Sequence, residues 1–164
     1  MAELAILEGR AEEARDSLQT LADEEGAKGP LLLPLVAWAH LELGETGRGL
    51  EVAERAEREA RGRGMLLYLP EALRIKGMAL ARLGKIQEAR TALAEGRERA
   101  AAMPNPYAEA HILVELGLLD RRIGQAEDAR ERLEEALAIF RLIGARKDAE
   151  LVERELEALD RPPQ

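Results

Sequence analysis

The chain has 164 residues, no cysteine and a formal net charge of −8. This length suits a single domain. The lack of cysteine excludes disulfides, thiolate zinc sites and cysteine nucleophiles, and it fits a reducing compartment, so we expect a cytoplasmic protein. The acidic charge argues against direct nucleic-acid binding, which needs a basic surface. The N-terminal segment lacks the basic region and the long apolar core expected of a signal peptide, and no apolar run reaches the ~18 residues that would predict a membrane span.

The composition predicts an all-α fold. Ala and Leu together exceed a third of the chain, while aromatic residues make up only 2%. Ala and straight-chain residues lose little entropy in a helix, whereas sheets favour β-branched and aromatic residues. In chain order, we predict helices over residues 3–8, 10–24, 31–43, 47–61, 66–83, 86–102, 106–123, 126–142 and 146–159.

Helix-breaking residues separate these segments, at 24–30, 61–64, 103–106 and 142–145. Asn105 followed by Pro106 is typical of an N-cap and a first helical residue. Pro34 and Pro70 should lie in first helical turns or cause kinks. The last helix has charged residues on one side and apolar residues on the other, so it should cap the final hydrophobic layer. These apolar residues are Ala149, Leu151, Val152, Leu156 and Leu159.

A 40-residue repeat organises the chain. The pairs Leu43-Gly44, Leu83-Gly84 and Ile123-Gly124 are spaced by that period. Small residues recur seven positions before each glycine and five positions after it, and large apolar residues recur eleven positions before it. Internal repeats at this period predict stacked helix pairs. The recurring small residues are Ala37, Gly77 and Gly117 before the glycine and Gly49, Ala89 and Ala129 after it; the large ones are Leu33, Leu73 and Leu113.

Each glycine should end the first helix of a pair, because glycine adopts the left-handed C-cap conformation without a steric clash. The small residues should face each other where the two antiparallel helices cross. We therefore predict one domain over 1–164, made of a partial repeat (1–25), three repeats (26–64, 65–104, 105–144) and a capping helix (145–160).

The array opens with a truncated unit. We therefore expect an apolar layer around Leu4, Ile6 and Leu7 to be exposed. Repeat arrays need capped ends, so this layer should be covered. Either a second copy of the chain covers this end, giving a homodimer, or upstream sequence of a longer protein does.

The segment GMALARLGKIQEARTAL resembles a tetratricopeptide repeat (TPR). The family motif places a large apolar residue, a small residue, Leu-Gly, Glu-Ala and a second large apolar residue in this order. The matching positions are Leu73, Gly77, Leu83-Gly84, Glu88-Ala89 and Leu93 in one copy, and Leu113, Gly117, Ile123-Gly124, Asp128-Ala129 and Leu133 in the next. The first copy departs at Arg48-Gly49, and the period exceeds the family's usual ~34 residues. HEAT repeats have a similar period, but the turn motif favours TPR.

The resemblance implies a right-handed α-α superhelix whose first helices line a concave groove. Longer units of this kind resemble the helical-repeat regions of large bacterial transcriptional and signalling regulators. By the family's geometry, the groove positions are Leu31, Pro34, Trp38 and Glu42; Glu71, Arg74, Met78 and Arg82; and His111, Val114, Leu118 and Arg122. Apolar residues among charges suit a docked peptide or helix, and Trp and Arg are enriched in binding hot spots.

Two alternatives stay open for these positions. Trp38, Met78 and Leu118 are either binding residues or packing residues. Arg74 and Arg82, together with Arg121 and Arg122, either form a basic strip for an acidic partner or pair with neighbouring glutamates. The Lys and Asn pattern with which some TPR proteins hold a peptide carboxylate is missing.

Nothing in the sequence indicates an enzyme, a metal site or a cofactor. His40 and His111 lie on different repeats without a ligand motif, so structural roles are favoured. Ser17 has no G-x-S-x-G context, and no phosphate-binding loop is present. We therefore predict a non-enzymatic scaffold that binds a protein or peptide partner in the groove. The alternative is an effector-sensing or oligomerisation segment of a bacterial transcriptional or signalling regulator.

Overall fold

The structure is a computed structural model that describes residues 9–24 and 29–160. Every regular element in these ranges is helical. A short 3-10 turn, Leu66–Tyr68, precedes the fourth helix. The predicted helix over 3–8 and the apolar layer around Leu4, Ile6 and Leu7 lie outside the described residues. The helices are α1 (Ala11–Glu24), α2 (Gly29–Glu42), α3 (Thr46–Gly62), α4 (Leu69–Arg82), α5 (Ile86–Ala102), α6 (Pro106–Arg122), α7 (Ala126–Ile143) and α8 (Arg146–Asp160).

The proline predictions meet mixed outcomes. Pro70 lies at the start of α4, so the predicted helix over 66–83 divides into the 3-10 turn and α4. Pro106 begins α6, and the Asn105 side chain accepts a hydrogen bond from the backbone N–H of Ala108 at 3.1 Å, which confirms the predicted N-cap. Pro34 lies inside α2 rather than in its first turn. There it removes one backbone hydrogen bond of the helix.

The Leu-Gly turn has the same geometry in each repeat. Gly44, Gly84 and Gly124 have positive φ angles of 78°, 77° and 81°. The N–H of the residue after each glycine donates to the carbonyl five residues earlier, at 2.9 Å, as in Glu45 to His40. This is the hydrogen bond of a Schellman motif, which satisfies a carbonyl at the helix end. The predicted glycine C-cap is therefore confirmed.

The small residues allow close helix crossings. A Cβ placed on Gly49 of α3 would lie 3.0 Å from the carbonyl oxygen of Ala37 in α2. A Cβ placed on Gly117 of α6 would lie 3.1 Å from the carbonyl oxygen of Ala129 in α7. Side chains larger than hydrogen would therefore push these helices apart, as the repeat pattern predicts.

The chain divides into two compact units, residues 1–92 and 93–164, and the boundary falls within α5. In the first unit, α1 packs on α2, α2 on α3, and α3 on α4. α2 and α4 also contact each other. The core is built mainly of aliphatic side chains, including Leu33, Val36, Leu41 and Ile75.

In the second unit, α6 packs on α7 and α7 packs on α8. Phe140 is the largest fully buried side chain of this core. Ala149 and Val152 of α8 are buried against it, and Leu156 and Leu159 pack beside them. Leu151 is 49% exposed, because it lies off the stripe formed by those four residues. The prediction of a terminal helix is confirmed, but Leu151 was wrongly placed on its packed side. The single-domain organisation and the repeat boundaries stay predictions.

Candidate functional site

Eight of the twelve predicted groove positions lie in the first unit, on two helices that contact each other. Of these, Leu31 is exposed and Pro34 is buried, both near the start of α2. The other six form one set. Trp38 and Glu42 are one turn apart on α2. The four others follow each other at spacings of three or four residues on α4, which places them on one side of that helix. We call this set the α2–α4 face: Trp38, Glu42, Glu71, Arg74, Met78 and Arg82.

Arg74 is the centre of the α2–α4 face. Its side chain is only 7% exposed, and its guanidinium carbon lies 5.5 Å from the centroid of the Trp38 ring. The guanidinium donates to both carboxylate oxygens of Glu71, at 2.6 Å and 3.0 Å. Its third contact is the sulfur of Met78 at 3.5 Å. A buried arginine is tolerated because a bidentate carboxylate compensates its charge.

Trp38 and Met78 are half-buried and pack against the core of the first unit. One side of each therefore stabilises the fold, while the remaining surface is available. The cation–π contact fixes the indole against Arg74. The four side chains form a preorganised patch in which apolar and charged groups alternate.

Glu42 and Arg82 form an ion pair at the end of the α2–α4 face where α2 and α4 finish. The guanidinium of Arg82 donates to the Glu42 carboxylate at 2.8 Å and to the backbone carbonyl of Leu41. The two side chains are 38% and 39% exposed. The contact joins the C-terminal ends of α2 and α4, which are forty residues apart in sequence.

The four other predicted site residues lie in the second unit, on α6. His111 makes edge contacts with the rings of Tyr107 and Phe140, at centroid distances of 4.6 Å and 5.0 Å. Its Nε2 is 3.3 Å from a carboxylate oxygen of Asp148 on α8. The remaining three are half-buried Val114 and Leu118 and exposed Arg122.

The arginines of the proposed basic strip have acidic neighbours. Besides Arg74 and Arg82, Arg121 on α6 pairs with Glu155 on α8. The interpretation as ion-paired arginines, which the sequence left as the alternative, therefore describes these three side chains. His40, the second histidine, is 8% exposed and its Nδ1 is 2.5 Å from the Glu45 carboxylate.

A carboxylate on α3 shows how charge links the helices of the first unit. Glu57 accepts hydrogen bonds from Lys76 on α4 at 2.9 Å and from Arg61 on its own helix. Burial alone would raise the pKa of Glu57, but the hydrogen bonds and charges of the two cations outweigh it and lower that pKa.

Two negative findings apply to the described parts of the chain. Over residues 9–24 and 29–160, no three side chains of His, Asp or Glu are grouped so that they could hold a metal ion. In the same ranges, no helix is long and apolar enough to cross a bilayer.

Sequence reasoning missed one buried polar contact. Asp120 on α6 is fully buried and accepts a hydrogen bond from Arg132 on α7 at 2.6 Å. The signal was present in the repeat register, because Asp120 occupies the position that Leu80 has one repeat earlier. A charged residue at a core position indicates a partner from a facing helix.

The tetratricopeptide repeat family model matches residues 68–141. None of the curated proteins matches the chain. Among solved structures, the crystal structure of BtubC (BKLC) from P. vanneervenii is similar, with a TM-score of 0.65 and 16% sequence identity. The similarity covers 99% of this chain and 80% of the BtubC chain. At this identity it supports the fold alone.

The family match and the structural neighbour confirm the all-α helical-repeat class. Tetratricopeptide repeats generally mediate protein–protein interactions and typically act as non-enzymatic scaffolds. Residues 68–141 are therefore similar to the tetratricopeptide repeat family, and the described helices pack as antiparallel pairs.

Proposed function

We propose that the chain is a non-enzymatic scaffold that binds a peptide or helix of a protein partner on its α2–α4 face. The observation that carries this proposal is the position of Arg74, held by Glu71 against Trp38 and Met78. This arrangement supports a recognition surface, because the side chains that contact Arg74 are already ordered before a partner binds. Preorganisation reduces the entropy cost of association.

The residue types suit an anchor site. Tryptophan and arginine are enriched among interface hot spots, and methionine adapts to apolar partner side chains. Trp38 and Met78 offer partly exposed apolar surface on adjacent helices. A short amphipathic segment of a partner could lay its apolar side on these two residues.

The Glu42–Arg82 pair would set the direction of the bound segment. Both side chains are more than a third exposed, so each can exchange part of its pairing for a partner's charge. Exposed ion pairs contribute only ~0.2–1 kcal/mol to stability, so breaking the Glu42–Arg82 pair to contact a partner's charge costs little free energy. Charged groups at the edge of an interface govern orientation and specificity more than affinity.

The test exchanges the two charges while keeping their mutual attraction. The double variant Glu42→Arg/Arg82→Glu reverses the charges that the face presents. The control is Arg121→Glu/Glu155→Arg in the second unit, where the exposures of the two side chains, 39% and 37%, closely match. Each protein is used as bait in lysate from source cells, and bound proteins are quantified.

We expect partners captured by the wild type to be lost with the first variant and kept with the control. Circular dichroism should show equal helicity for the three baits. Equal capture by all three would contradict the α2–α4 face as the binding site. Loss with the control alone would move the site to the second unit.

A further inference from the structure

A second surface of the first unit has a different chemistry. A cavity of about 500 Å³ lies between α1 and α3, with α2 beneath it. Its floor contains His40 and Val52, which are 8% and 9% exposed. Four arginines line it: Arg15 from α1 and Arg48, Arg55 and Arg58 from α3. Ligand cavities in proteins commonly measure ~300–1,000 Å³.

The arginines on α3 share one side of the helix. Arg48, Arg55 and Arg58 are separated by seven and three residues, close to whole helical turns. They extend over ~15 Å of helix, at ~1.5 Å per residue. The lining also contains two carboxylates, Asp16 and Glu51, so its formal charge stays positive while the whole chain carries −8.

The carboxylate neighbours of these arginines differ in exposure. Arg48 pairs with Glu51 at 3.3 Å, and these two side chains are 67% and 69% exposed. Arg55 pairs with Glu59 at 2.9 Å. Arg15 lies 2.8 Å from Asp16 and 3.6 Å from Glu45, and its hydrogen bond with Asp16 raises its pKa. Exposed pairs such as Arg48–Glu51 are weak, so an anion that carries more charge can replace the carboxylate.

Comparison of the repeats indicates that these arginines are particular to one helix. One repeat later, the positions of Arg48, Arg55 and Arg58 hold Glu88, Glu95 and Glu98. Two repeats later they hold Asp128, Glu135 and Ala138. The same side of the second helix therefore changes from basic to acidic along the chain. The packing of the repeat does not require arginine at these positions.

We propose that this cavity binds a small organic polyphosphate, such as a nucleoside triphosphate or another multiply phosphorylated metabolite. The arginine fork matches phosphate oxygens in a bidentate geometry. Several arginines spaced along ~15 Å suit an elongated anion with charges at more than one point. The site shares no residue with the α2–α4 face, so it is independent of the proposed protein-binding function.

The experiment is isothermal titration calorimetry of the whole chain with inorganic tripolyphosphate at low ionic strength. The test variant is Arg48→Gln/Arg58→Gln, which removes two exposed charges from the cavity. The control is Arg99→Gln/Arg141→Gln, which removes two charges from side chains that are 44% and 63% exposed elsewhere. Thermal melting of all three proteins checks that each one folds.

We expect a single site in the wild type and the control, with affinities equal within about twofold. The test variant should bind at least about tenfold more weakly, because charged hydrogen bonds are lost. No binding to the wild type, or equal weakening in both variants, would overturn the proposal. Hexaglutamate is titrated in parallel. If it binds through these arginines and tripolyphosphate does not, the cavity serves an acidic peptide and the polyphosphate proposal is wrong.

Discussion

The two units use the same turn and the same close helix crossing, yet they place different chemistry on that frame. At one register of the first helices, the repeats carry His40, Leu80 and Asp120. His40 contacts Glu45 in its own turn, whereas Asp120 is fully buried and contacts Arg132 on the facing helix. The repeat therefore preserves backbone geometry, while each polar residue finds its own partner.

The groove registers differ in the same way. Trp38, Met78 and Leu118 occupy one position in successive repeats. In the first unit this position contacts the buried Arg74, while in the second unit the register of that arginine holds Val114. Residues in the turn and at the helix crossing are constrained by sterics, whereas residues that face outward are not. The outward positions are therefore where one repeat can acquire a function that its neighbours lack.

The largest expected effect comes from the buried pair of the second unit. Arg132→Ala should destabilise the chain by about 3 kcal/mol, because the fully buried Asp120 carboxylate loses its hydrogen bond and charge contact with Arg132. The double variant Asp120→Leu/Arg132→Ala restores the residues of the middle repeat, Leu80 and Ala92. We expect it to recover most of the loss in urea unfolding. A double variant as unstable as the single one would show that the charge itself is needed.

The next largest effect on stability concerns the close helix crossing that both units share. Gly49→Ala should destabilise by about 1–2 kcal/mol, because its new Cβ meets Leu41 at 2.7 Å and the Ala37 carbonyl at 3.0 Å. The matched control is Gly47→Ala on the same helix, which has open space around it. The control should be neutral or stabilising by up to about 1 kcal/mol. Equal melting temperatures for both variants would remove the argument for a close crossing.

A smaller effect is expected from Glu57, and it depends on pH. The folded state lowers the pKa of Glu57 below its ordinary value of 4.5. Its contribution to the free energy of unfolding is therefore complete above that value and is lost as pH falls through the lowered pKa. Glu57→Gln should cost about 1–2 kcal/mol at pH 7. The difference from the wild type should shrink steadily below pH 4.5.

Glu51→Gln is the matched control for Glu57, because Glu51 lies on the same helix and is 69% exposed. It should change stability little at any pH between 3 and 7. A difference between wild type and Glu57→Gln that does not vary with pH would contradict the lowered pKa.

The smallest effects concern the two exposed pairs that join helices, Glu42–Arg82 and Arg121–Glu155. Double-mutant cycles to alanine should give coupling energies of about 0.5 kcal/mol for each. Arg82→Ala alone should cost slightly more than Arg121→Ala, because Arg82 also donates to the Leu41 carbonyl. A coupling energy well above 1 kcal/mol would contradict the expectation that these exposed pairs contribute little to the stability of the fold.

Much of the fold follows from the sequence for physical reasons. Glycine is needed at Gly84 and Gly124 because their φ angles are positive, so the turns could be located by spacing alone. Asn105 could be identified as an N-cap because its side chain and the following proline both act locally. Local rules of this kind need no knowledge of the rest of the molecule.

The side-chain partners could not be predicted in the same way. Arg74 meets Trp38 and Asp120 meets Arg132 through contacts between helices, and their geometry depends on helix rotation. The resemblance placed Trp38 and Arg74 on one face, but it did not indicate that Arg74 is buried. The arginine-lined cavity could not be predicted, because Arg15 of α1 meets the arginines of α3 only in the folded chain.

Equivalent positions in the two units give the most direct test of the α2–α4 face as the binding site. A photo-crosslinking amino acid is placed at Met78 in one variant and at Leu118 in another, since both are half-buried at the same register. Irradiation in source cells is followed by mass spectrometry. We expect cross-links from position 78 to one protein segment and far fewer from position 118. Abundant cross-links from position 118 with none from position 78 would contradict it.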